Sequence, residues 1–143
     1  MTRPPKTKPV LGADGALADL TGLWEAGTER AKSQMCIIED AKVGASFAVV
    51  LRGQGERSCS GGGTLRRDGA TVHIVMAGES DCAFDAAVAG MDIVFPRSVP
   101  AGCAYYCTAG TSFSGARLSL VAPSIEDARR ARDLVGEPLC GTR

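Results

Sequence analysis

The sequence predicts an all-β fold: an eight-stranded antiparallel up-and-down β-barrel, a meander, with one C-terminal α-helix. Three observations predict it. Cys36, Cys59 and Cys82 stand 23 residues apart, and Cys103 follows after 21. Each interval repeats one order of features: a segment starting at Cys, a glycine turn, an apolar alternating run, and a polar loop leading to the next Cys. The apolar residues recur with period two, the mark of strands that bury one face.

The first unit, Cys36–Ser58, turns at Val43-Gly44; the second, Cys59–Asp81, at Asp68-Gly69; the third, Cys82–Gly102, at Ala89-Gly90. Asp-Gly between two β-like runs is a strong hairpin signal. In the second strand of each unit, one face carries Phe47, Val49 and Leu51, then Val72, Ile74 and Met76, then Met91, Ile93 and Phe95. Phe84, Ala86 and Val88 give the strand after Cys82 a matching face. Gly61, Gly62 and Gly63 make a weak strand suited to a bend or bulge. A strand at Leu20–Glu25 and another at Thr111–Val121 bring the number to eight. Closing them into a barrel removes both edges, and the short regular connections favour a barrel over a two-sheet sandwich. The expected inward set is Trp24, Ile38, Phe47, Leu51, Ile74, Met76, Phe84, Met91, Ile93 and Phe95. These side chains are large enough to fill an eight-stranded barrel, with slack only beside the glycines and Ala86.

The termini read differently. Residues 1–19 are a flexible Pro/Gly/Ala leader, of the kind that follows a lipidated cysteine and tethers a protein to a membrane. The barrel domain then spans 20–143. Ser124 and Asp127 stand at capping-box spacing before a helix expected over 125–135. Gly136 and Pro138 end that helix. Ile125, Ala128 and Val135 form its thin apolar stripe, which lies against the barrel wall and lets Cys140 pin the tail.

Composition bounds the function. The chain has 143 residues, 16 basic against 16 acidic side chains and one histidine. A net charge of zero argues against nucleic acid as a partner, since phosphate contacts need a basic surplus. No run of eighteen apolar residues is present to form a membrane-spanning helix. Arginine outnumbers lysine twelve to four and asparagine is absent, the composition that a GC-rich bacterial genome imposes. The six cysteines, Cys36, Cys59, Cys82, Cys103, Cys107 and Cys140, are an even set in a short chain. That favours disulfides in an oxidising compartment over buried free thiols, with connectivity left open among 15 pairings. No Cys-x2-Cys pair supports zinc or a thioredoxin-like site, so neither metal nor cofactor is expected.

Catalytic chemistry finds no foothold. His73 is the one base available to a Ser-His-Asp group, and it falls on the outer wall in mid-strand, away from any expected partner. The carboxylates Glu25, Asp40, Asp85 and Asp92 are scattered, and the glycine runs lack the Lys-Ser/Thr of a phosphate loop. The informative region is the rim of the barrel. Each repeat unit starts with its Cys at one end, together with the longer loops Gly53–Ser58, Ala77–Asp81 and Pro96–Gly102. Disulfides that stiffen such loops reduce the entropy lost on docking. Tyr105 and Tyr106, between Cys103 and Cys107, are either interface anchors or plugs of the barrel end, and Arg57 and Arg97 join them as rim residues.

Two short segments resemble known families. Leu20-Thr21-Gly22-Leu23-Trp24-Glu25 carries the Gly-x-Trp that opens strand one in lipocalin-like and avidin-like barrels, and it is similar to the start of bacterial periplasmic metalloprotease inhibitors. There the tryptophan seals the barrel floor, a role the resemblance assigns to Trp24. Tyr105-x-Cys107 and Ser114-Gly115-Ala116-Arg117 look like fragments of the membrane-bound C-type lysozyme inhibitors. In that family the Ser-Gly-Ala-Arg segment enters the lysozyme cleft, which implies partner contacts for Ser114 and Arg117. The two fragments lie closer together here than in that family, and the Trp-x-Lys-Gly expected downstream is missing. Six cysteines and a C-terminal helix fit neither inhibitor family.

The expected function is therefore that of a non-enzymatic protein of the bacterial cell envelope, periplasmic or outer-membrane-associated. It binds another protein through its loop rim and is a candidate hydrolase inhibitor, of a protease or a lysozyme. The alternative is a lipocalin-like carrier of a small apolar ligand, with an enzyme a distant third.

Overall fold

A computed structural model describes residues 17–140, apart from positions 29–30, 41, 43 and 79–80. Eight strands follow one another as β1 (Gly22–Thr28), β2 (Ala31–Asp40), β3 (Gly44–Arg52), β4 (Ser58–Asp68), β5 (Thr71–Met76), β6 (Ala83–Ala89), β7 (Asp92–Val94) and β8 (Arg117–Ala122). Each pairs antiparallel with the next, and β8 returns to β1, so the meander closes into a barrel. The closing seam needs an irregularity: the β1–β8 register shifts between Leu23 and Trp24.

Period two places the core. Phe47, Val49 and Leu51 on β3, Val72, Ile74 and Met76 on β5, and Phe84, Ala86 and Val88 on β6 all point inward and are buried. Toward the end where β6 begins and β7 ends, Phe84, Phe95 and Phe113 meet in the core with ring centroids 5.2–6.3 Å apart, a spacing at which aromatic rings attract beyond simple burial. Two members of the expected inward set lie elsewhere. Ile38 follows Cys36 on the outer face of β2, because Met35 and Ile37 take the inner one. Met91 is 40% exposed in the turn between β6 and β7.

The two ends of the barrel differ. At the floor, β4–β5 and β6–β7 are joined by two-residue loops beginning at Gly69 and Gly90, which have φ of 62° and 60°. Only glycine takes such angles without strain. The segment 17–21 also covers this end: Leu17 and Leu20 are fully buried, and the fully buried Trp24 donates its indole N–H to the Leu20 carbonyl at 3.0 Å. The packed domain thus begins by Leu17, ahead of the expected boundary at residue 20. The rest of the leader, 1–16, lies outside the described residues. At the opposite end, the mouth, the β3–β4, β5–β6 and β7–β8 connections are longer, and 95–116 is the longest.

That long connection corrects the expected strand Thr111–Val121, since β8 starts only at Arg117. Residues 108–116 are held as loop by local bonds. The Thr111 N–H donates to Thr108 O, and the Ser114 N–H to Ser112 Oγ. Phe113 turns from this loop into the core and is fully buried. Side-chain bonds to nearby backbone compete with a strand ladder, and here the burial of Phe113 decides the outcome.

The helix is also shorter than expected. Ser124 caps α1, accepting from the Asp127 N–H, yet α1 spans only Ile125–Ala128 and leaves Ile125 and Val135 exposed. Asp133 accepts from the N–H groups of Val135 and Glu137, and Gln34 Oε1 accepts from the Arg132 N–H. Those bonds replace the helical ones. They bend the tail into a strap whose buried Ala128 and Ala131 pack on Leu23 and Cys36 outside β1 and β2. Cys140 then closes on Cys36, so it does pin the tail.

Candidate functional site: the barrel mouth

All six cysteines are paired, as Cys36–Cys140, Cys59–Cys107 and Cys82–Cys103. Three disulfides are compatible with an extracytoplasmic location. Among the described residues no helix is long and apolar enough to cross a membrane. The even cysteine spacing does not put every Cys at the mouth. Cys59 opens β4 and Cys82 precedes β6, both at the mouth, but Cys36 sits in the middle of β2 on the outer wall. The unit boundary drawn at Cys36 is out of phase with the strand, which starts five residues earlier at Ala31.

The two mouth disulfides clamp one feature. A 3-10 turn, Ala101–Tyr106, holds Cys103 near its centre and is followed at once by Cys107. One bridge ties the turn to the β5–β6 loop and the other to the start of β4. The Cys59–Cys107 pairing is reinforced by hydrogen bonds from the Thr108 N–H to Ser58 O at 2.8 Å and from the Ser58 N–H to Thr108 Oγ1 at 2.9 Å.

The adjacent tyrosines have opposite fates: Tyr106 packs against the core at the barrel end, and Tyr105 is left exposed. Tyr106 is half-buried, packs on the core beside Phe113, and donates its hydroxyl to the Ala77 carbonyl at 2.6 Å. Gly61 makes room for it: a Cβ there would collide with the Tyr106 ring and the Met76 methyl. The glycine segment of β4 is therefore not a bend. It pairs regularly with β3, and its slack is taken up by these two side chains. Tyr105, by contrast, is 75% exposed and stands edge-on to Tyr106, with centroids 5.2 Å apart at 84°.

The other expected rim residues divide between the lip and the wall. Arg57 is exposed in the β3–β4 loop, with its guanidinium over Gly110. Arg97 is exposed at the start of the long connection. Ser114 bonds Ser112 Oγ at 2.9 Å and, with Arg117, lines a groove of about 270 Å³ at the mouth. Arg117 does not aim at the lip: its Nε donates to Asp92 Oδ2 at 2.7 Å along the outer wall. The Ser119 hydroxyl also donates to Asp92, and this bond, reinforced by Arg117 and opposed by partial burial, holds the Asp92 carboxyl below its ordinary value.

His73 does have a partner, contrary to expectation. It lies opposite Asp85 in the β5–β6 register, and its Nδ1 reaches the Asp85 carboxylate. The pair sits on the outer wall, where His73 is partly exposed and Asp85 well exposed. Sequence reasoning also missed Arg52, Ser33, Thr111 and Ser112 in the groove lining. One signal was available. Ser33 falls in the inward phase of β2 with Met35 and Ile37, a hydroxyl where the pattern calls for a hydrocarbon.

Comparison with protein-family models, with curated proteins and with solved structures gives no match.

Proposed function

We propose that the protein is a non-enzymatic binding protein of the bacterial cell envelope, periplasmic or membrane-tethered through its leader, that recognises another protein with its barrel mouth. The observation that carries this reading is Tyr105: a 75% exposed aromatic on a turn clamped by two disulfides. An exposed tyrosine costs little conformational entropy to immobilise, and less still when its backbone and stacking partner are already fixed. The surroundings fit an interface centre. Residues 98–116 contain no charged side chain, and Arg57 and Arg97 flank them. Charge depletion at the centre with arginine and tyrosine enriched is the composition of binding interfaces.

A single exposed aromatic on a clamped turn at a barrel end suits a cleft better than a flat surface. An envelope hydrolase, protease or lysozyme, is accordingly the partner class to test first. The carrier reading gains less support, since the aromatic cluster occupies the core and Met76 and Tyr106 take up the slack at Gly61.

The test is calorimetric titration against a panel of lysozymes and secreted proteases, followed by Tyr105→Ala on any pair that binds. The substitution is expected to weaken binding by ~2 kcal/mol or more. Equal binding by the variant, or a small apolar ligand recovered from the barrel interior, would sink the reading.

A further inference from the structure

The groove beside Ser114 has a chemistry of its own. It is built from β1, β2 and β3 together with the 111–117 segment, not from the strands that seat Tyr106. Its base is apolar, from Ala26 and Leu51, and its wall carries Ser33, Thr111, Ser112 and Arg52. Of the two arginines at the groove, Arg117 is already bonded to Asp92. Arg52 is exposed and makes no ion pair among the described residues.

Ser33 is the second observation. It is only 7% exposed, and its Oγ accepts from the Arg52 N–H at 2.9 Å. A hydroxyl also has a proton to donate, and among the described residues no acceptor takes the Ser33 proton. A buried donor without an acceptor is costly unless something in the groove supplies one.

We propose that this groove is a carboxylate-binding site. The Arg52 guanidinium supplies the charge, the Ser33 and Ser112 hydroxyls supply donors, and Ala26 and Leu51 cover a short apolar stem behind the carboxylate. A cavity of about 270 Å³ accommodates a group of that size. The carboxylate has two sources, an Asp or Glu side chain of a protein partner or a free short-chain acid. The first source rests on the protein-binding reading of the mouth; the site itself does not.

The test follows backbone amide shifts of the 15N-labelled protein during titration with sodium butyrate and, separately, with the peptide acetyl-Ala-Glu-Ala-amide, against sodium chloride at matched ionic strength. Saturable shifts confined to Ser33, Gly53, Thr111 and Ser112 are expected. Arg52→Gln should weaken them about tenfold, the loss of one charge-assisted hydrogen bond. Arg66→Gln, toward the floor end of β4 and outside the groove lining, should leave them unchanged. Tighter binding of the peptide identifies a partner's side chain as the source, and tighter binding of butyrate a free acid; either supports the site. No saturable shift with either probe, or equal binding by Arg52→Gln, overturns it. Loss of the site with Tyr105-dependent protein binding intact would leave the reading of the mouth standing.

Discussion

The two ends of this barrel are held by different means. The floor relies on burial: two-residue turns bring the strands together tightly, and Leu17, Leu20 and Trp24 pack across the opening. The mouth carries the long connection 95–116, which sends Phe95, Cys103 and Phe113 into the core but leaves most of its other residues exposed or only partly buried, and two of the three disulfides bind it. A surface that must stay exposed cannot be stabilised by hiding it. Cross-links order it without burying it, chiefly by restricting the unfolded chain. The floor therefore serves stability, and the mouth combines order with exposure, as binding loops on rigid scaffolds do.

The largest effect should come from breaking the floor. Trp24→Ala removes a fully buried indole and leaves the Leu20 carbonyl without its donor. The expected loss is ~3–5 kcal/mol in urea unfolding, with partner binding by the remaining folded protein unchanged. A variant of wild-type stability would show that segment 17–21, not Trp24, seals this end.

The next effect should come from the mouth. Replacing both Cys59 and Cys107 by Ser opens a link of 48 residues' separation and should cost about 2–4 kcal/mol. Unlike Trp24→Ala, it should also weaken binding of any partner that Tyr105 contacts. A loss of stability with no loss of binding would contradict the division of labour between the ends.

The same contrast explains what could be read from the sequence. Strands between floor turns were legible because Phe47, Val49 and Leu51, or Phe84, Ala86 and Val88, alternate without interruption and the turns carry glycine. Local chemistry fails wherever a distant contact decides. Phe113 looks like a strand residue until the core claims it from a loop. The helix expected to Val135 stops at Ala128 because Gln34 and Cys36, nearly a hundred residues earlier, hold the following segment. The tyrosines were legible as a pair but not as opposites, because the distinction depends on the space that Gly61 leaves for Tyr106 alone. The groove was legible only in pieces, Ser114, Arg117 and the out-of-pattern Ser33, since its members come from four separate segments.

A smaller change sharpens the view of the mouth. Tyr106→Phe keeps the ring against Phe113 and Gly61 but deletes the bond to the Ala77 carbonyl. A stability loss of about 1 kcal/mol is expected from one such hydrogen bond. If the bond orients Tyr105 through the edge-on stack, partner affinity should fall as well, although Tyr106 is the less exposed of the two. Stability lost with affinity retained would show that the disulfides alone position Tyr105.

The smallest expected effect lies on the wall between the ends. β7 has three residues and is the shortest strand of the barrel. Asp92 on β7 is bonded to Ser119 and Arg117 on β8, two of the three β8 positions paired with β7. These bonds hold the Asp92 carboxyl below its ordinary value, so protonating it costs the folded state more than the unfolded one. The stabilisation is then fully present above the unfolded value of about 3.9 and is lost as pH falls through the lower folded one. Arg117 is 59% exposed and Asp92 22%, so solvent screening limits the clasp to about 0.5–1 kcal/mol. Urea midpoints of the wild type and Asp92→Asn should differ at pH 6 and converge as the pH is lowered below about 4. A difference that stays constant across that range would mean that the asparagine disturbs β7 itself. The short strand would then depend on its backbone pairing rather than on the charged clasp that spans it.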